Sequence, residues 1–135
     1  MHQTLSTSLS AMYDLGFASF HLTFWRWFKW PQSLEKSGRL NQGITQTLNV
    51  MLSYVLVVYA VSLGLAAAPI QGALSLAGGG FWLLRAVVQP ALFARTRLSW
   101  VMMAVFALGA SLHAFTYVDS TKVGVEALSS ARPFW

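Results

Sequence analysis

The stretch Phe81-Trp82-Leu83-Leu84-Arg85-Ala86-Val87-Val88-Gln89-Pro90 decides how this chain is read. It is apolar on both sides of a single arginine and lies near the middle of the third of four long hydrophobic segments. A guanidinium at membrane depth costs at least about 3 kcal/mol unless a partner or a hydrated cavity receives it. The segment therefore reads as a membrane-spanning helix with a polar interior that requires an account.

Composition agrees. Of 135 residues, 56% are hydrophobic and 10% charged, and the mean hydropathy is +0.54. Soluble domains carry about 25% charged residues, so a solvated surface of normal size is not available. The length suits one domain, and four spans of about 20 residues consume most of it. In a bilayer only helices or closed barrels satisfy the backbone, and these apolar runs are too continuous for a barrel's two-residue alternation. The expected fold is thus all-α, a four-helix up-and-down transmembrane bundle forming a single transmembrane domain. Its spans are expected at about 11–30, 44–66, 72–93 and 99–118, with 119–135 as a short external tail.

The chain contains no cysteine, which excludes disulfides, thiolate metal sites and cysteine nucleophiles. A net charge of +5 raises the question of nucleic acid. The basic residues cluster at span ends rather than along one solvated face, so they read as topology signals and no nucleic-acid partner is expected. Met1 to Ser10 carries no Lys or Arg, and the following apolar run contains Asp14 and His21. The first span is accordingly read as uncleaved rather than as a signal peptide.

Loop charge sets an expected orientation. Arg26, Lys29, Lys36 and Arg39 surround the first connection against Glu35 alone, and Arg95 and Arg97 occupy the third. The second connection, Ala67-Ala68-Pro69-Ile70-Gln71, carries no charge. Lys/Arg excess marks the cytoplasmic side, which gives N-out/C-out topology in a bacterial inner membrane.

Several residues stand out as candidate sites. Arg85 and Gln89 lie one turn apart on one face of span three. Pro90 cannot donate to the Ala86 carbonyl, which frees an acceptor beside them. No carboxylate within the spans matches the depth of Arg85, so it suits an anionic ligand, a lipid phosphate or a partner's carboxylate. Gln42, Thr45, Gln46, Asn49 and Ser53 form one polar face on span two, suited to hydrogen bonds between helices. Asn49 is the member at a depth to meet Arg85, and Arg85, Gln89, Asn49 and His21 form the expected core group.

Asp14 and His21 share a face of span one, at about 5 Å and 15 Å from its outer end by helix rise. Asp14 reads as shallow, among head groups; with His113 and Tyr117 of span four it makes the expected outer group. Two histidines on different helices suit bis-histidine heme ligation, although their depths differ by about 8 Å. The segment Phe24-Trp25-Arg26-Trp27-Phe28-Lys29-Trp30 interleaves aromatics and cations. It reads as an interfacial anchor, with Arg26, Lys29, Trp27 and Trp30 placed to meet anionic lipid head groups.

No Gly-x-Ser-x-Gly, phosphate loop or His-Glu-x-x-His motif occurs. The expected function is a non-enzymatic membrane subunit or accessory protein that docks to itself or to a larger complex through intramembrane polar residues. A lipid-, quinone- or heme-binding module is the first alternative, and a proton-coupled transporter or channel the second.

Overall fold

The computed structural model describes residues 4–130, and among these the only regular structure is helical. The helices are α1 (Leu5–Leu22), the short α2 (Phe24–Trp27), α3 (Arg39–Leu65), α4 (Ala68–Leu92) and α5 (Arg97–Ser130), with a 3₁₀ segment at Gln32–Ser37. The ranges Arg39–Leu65 and Arg97–Glu126 are long and apolar enough to cross a membrane. By internal packing the chain forms two units: Met1–Ser10 with Leu63–Trp135, and Ala11–Ser62.

Element boundaries depart from the expected spans for local reasons. α1 begins ahead of the expected position 11 because the Thr4 hydroxyl accepts from the Thr7 backbone N–H at 3.3 Å, an N-cap arrangement. The helix does not run unbroken to Trp30. The Thr23 hydroxyl donates to the Phe20 carbonyl at 2.6 Å, and tight three-residue bonds replace the α ladder on both sides of Thr23. Pro69 starts the fourth helix rather than interrupting a loop, since it sits in the first turn of α4 where its missing N–H costs nothing. α5 continues without interruption past Val118, so residues 119–130 of the expected tail are helical. The final residues of that tail, Arg132 to Trp135, lie outside the described residues.

In the Ala11–Ser62 unit, the turn after α1 is built on rings. Phe24 meets Phe20 at 5.0 Å, Phe28 at 4.8 Å and Trp30 at 5.6 Å between centroids, all edge to face. Such pairs gain about 0.5–1.5 kcal/mol each beyond area burial. The Gln42 side chain donates to the Pro31 carbonyl at 3.1 Å and ties this turn to α3. Gly38, with φ of 83°, ends the 3₁₀ segment in a conformation that side-chain-bearing residues rarely adopt.

In the other unit α4 and α5 pack lengthwise. Gly72 faces Ser120 so closely that a β-carbon there would lie 2.9 Å from its Oγ. Gly79 lies against His113, where an added β-carbon would make ordinary contact at 3.5 Å. The run Gly78-Gly79-Gly80 stays helical, so its small residues permit helix approach without a break.

Candidate functional site

Each long helix buries one stripe, mostly at three- and four-residue steps, and polar residues make up most of it on α1 and α5 and a substantial part on α3 and α4. On α1 the stripe holds Thr7, Ser10, Asp14 and Ala18; on α3, Asn49, Ser53, Leu56, Ala60 and Leu63. On α4 the buried residues are Gln71, Gly72, Ser75, Gly78, Trp82, Ala86 and Gln89. α5 buries Ser99, Phe106, His113, Thr116 and Ser120. The opposite faces carry exposed Leu, Val, Ile and Phe, such as Leu48, Val55, Leu76, Leu84, Val87, Val101 and Phe115. This reverses the distribution of a soluble helical protein, in which polar side chains face out.

The Arg85 group lies wholly within the α4–α5 unit. Arg85 Nη1 donates to Gln89 Oε1 at 2.6 Å. Gln89 Nε2 donates to Ser99 Oγ at 3.3 Å, and the Ser99 backbone N–H donates to Thr96 Oγ1 at 3.2 Å. The guanidinium carbon also lies 4.6 Å from the Phe106 ring centroid and 4.9 Å from that of Phe93. Trp82 stacks behind Phe106 at 5.8 Å with an interplanar angle of 17°. The guanidinium thus meets a neutral amide and two aromatic rings, and none of these is an anion. Arg85 itself is half-buried, with its head turned towards the α4–α5 connection.

The His21 group belongs to the Ala11–Ser62 unit. His21 Nδ1 lies 2.7 Å from Asn49 Oδ1, while Asn49 Nδ2 donates to the His21 carbonyl at 2.8 Å. An amide oxygen only accepts, so Nδ1 carries the proton in this arrangement. The ring stacks on Phe24 at 4.8 Å. One turn along, Trp25 Nε1 donates to Gln46 Oε1 at 3.0 Å, and Ser53 Oγ donates to the Asn49 carbonyl at 2.9 Å. The polar face of α3 thus ties its helix to α1 and the aromatic turn.

The remaining candidates take separate positions. Asp14 is fully buried. Its place on the continuous stripe Thr7-Ser10-Asp14-Ala18 is the reason. His113 is fully buried on α5, with Nδ1 against the Gly109 carbonyl at 2.9 Å. Tyr117 is exposed, its ring beside Gly72. Arg26, Trp27 and Lys29 are exposed and Trp30 half-buried; Lys29 adopts φ of 51°, uncommon for a residue with a side chain.

Several contributors were not foreseen from sequence. Phe93 and Ser99 complete the Arg85 group, and Ser10 pairs with Thr116 at 2.9 Å, next to Ser6, which donates to Asp119 at 2.6 Å. The available signals were the Thr96-x-x-Ser99 spacing, typical of a helix start, and the three-residue polar spacing of Thr7 and Ser10. Among the described residues no three His, Cys, Asp or Glu side chains gather where a metal ion would need them. No family model matches the chain, and comparison with curated proteins and with solved structures gives no match either.

Proposed function

We propose that this chain is an integral membrane protein of four spans, N-out/C-out, in an up-and-down bundle. It acts as a non-enzymatic subunit or accessory protein that docks to itself or to a larger complex of a bacterial inner membrane. The observation that carries the proposal is the reversed distribution of side chains. Among the described residues twelve polar or charged side chains are buried against seven large or small hydrophobic ones, while branched and aromatic residues cover the outside. A face of that size exposed to water would promote association; in hydrocarbon it is at equilibrium with its solvent.

The polar stripes are largely consumed in bonding their own helices together, as the His21–Asn49, Gln89–Ser99 and Ser10–Thr116 pairs illustrate. Docking then falls to the outward faces and to polar groups that reach them, Arg85 and Tyr117 foremost.

Cross-linking in native membranes, followed by extraction in a mild detergent, tests the reading. A defined oligomer, or a second polypeptide held in fixed ratio, is the expected result. Release of the chain by an alkaline carbonate wash overturns the membrane assignment. A chain that stays in the membrane as a monomer at every concentration overturns the docking role.

A further inference from the structure

We infer that Arg85 is the centre of a binding site for the phosphate of an anionic phospholipid head group, at the α4–α5 connection. Such a site rests on the membrane-spanning reading proposed above. The guanidinium has five N–H donors in a fixed fork, and one of them is spent on Gln89. The rings of Phe93 and Phe106 lie 4.9 and 4.6 Å from the guanidinium carbon and give partial electrostatic compensation. Neither they nor Gln89 neutralises its charge. A half-buried cation in an apolar setting, oriented by a neutral amide and left with open N–H edges among the described residues, is arranged to receive an anion.

Depth identifies which anion. Arg85 stands eight residues before Phe93, about 12 Å of helix rise, yet its head group reaches the Phe93 ring. Phe93 caps the end of α4, so the guanidinium is drawn from Arg85 towards that end, past the Gln89 amide that it holds. In a bilayer that is the direction a snorkelling arginine takes towards the head-group boundary. The same connection presents the exposed Arg95 and Arg97, and basic side chains at that level attract anionic lipid. The Gln89–Ser99–Thr96 chain of hydrogen bonds fixes the orienting amide to the start of α5. Arg85 is therefore held in place before any lipid arrives. Such a site takes a phosphodiester bearing net negative charge, and discriminates against zwitterionic head groups whose own cation competes.

The test is native mass spectrometry of the full chain in mild detergent, with phosphatidylglycerol, phosphatidylcholine or inorganic phosphate added separately. Phosphatidylglycerol is expected to stay bound at about ten-fold lower concentration than phosphatidylcholine, the scale of one charge-assisted hydrogen-bond pair. Arg85→Gln brings the two lipids together, Arg85→Lys falls between, and Lys122→Gln, at an exposed position away from the connection, keeps the preference. If Arg85→Gln does not fold, the comparison of wild type with Arg85→Lys decides, because Lys keeps the charge and loses the fork. Equal retention of the two lipids by wild type, or a preference kept in Arg85→Gln, overturns the site. Saturable inorganic phosphate at Arg85 without lipid preference overturns the lipid source. A chain released by carbonate fails the membrane reading before any lipid is added, so the two failures are distinct.

Discussion

His21 and Asn49 hold each other twice, once ring to amide oxygen and once amide nitrogen to backbone carbonyl. Replacing Asn49 by Leu removes both bonds and leaves a backbone carbonyl and a ring N–H without their partner. Interhelical hydrogen bonds of this kind contribute about 0.6–2 kcal/mol each in membranes. A double-mutant cycle over His21→Phe and Asn49→Leu is expected to show a coupling of about 1 kcal/mol in reversible unfolding. His21→Phe alone retains a ring against Phe24, so its cost isolates the polar part. Additive effects of the two substitutions would sink the claim that the pair acts as a unit. The residue scale also shows how far the site was legible in sequence. Spacing alone pairs Arg85 with Gln89, because one helical turn fixes that contact. It does not reveal Phe93 or Ser99, since their approach depends on how the connection at Ala94–Thr96 returns the chain. A depth count along one helix says nothing of what shares its face, so the full burial of Asp14 is read from the structure alone.

Helix α4 succeeds as an element because small residues recur where it meets α5. At Gly72 an added β-carbon would encounter Ser120 Oγ at 2.9 Å, and that hydroxyl, bonded to the Tyr117 carbonyl at 2.8 Å, can rotate away. Gly72→Ala is therefore expected to cost little, while Gly72→Leu forces the helices apart at about 1–3 kcal/mol. A β-carbon added at Gly80 would meet nothing within 4 Å, so Gly80→Ala serves as the neutral control. Thermal unfolding in detergent by circular dichroism measures all three, and equal midpoints for Gly72→Leu and Gly80→Ala would falsify the close-approach account. Within α4 an added β-carbon meets a nearer neighbour at Gly72 than at Gly79 or Gly80. Proximity is set by helical phase, and Gly72 lies on the buried stripe with Ser75 and Gln89. Long helices were legible from their apolar runs, and the break at Thr23 was not. Hydropathy does not register a hydroxyl that bonds back to its own helix.

At the scale of the whole molecule, charge at the connections and apolar area on the faces make different demands, and the proposed topology meets both. Lys36, Arg39, Arg95 and Arg97 are exposed, and the connection at Ala67 carries no charge. Moving four such cations across a hydrocarbon core is opposed at every step of insertion, whereas the Ala67 connection crosses with little resistance. The absence of native cysteine makes this directly measurable, because any introduced thiol is the only one present. Ser37→Cys and Thr96→Cys are expected to resist a membrane-impermeant maleimide in intact cells and to react after permeabilisation. Ala67→Cys is expected to react in intact cells. The opposite pattern reverses the orientation, and all three reacting alike removes the four-span topology. Asp119, Lys122 and Glu126 on the continued helix α5 then stand on the outer side with Ala67, so Lys122→Cys is expected to follow Ala67→Cys. That fourth position separates the reading from a two-span alternative using Arg39–Leu65 and Arg97–Glu126 alone. With only those helices crossing, Ser37 and Lys122 share one side and label together; with four, they label on opposite sides.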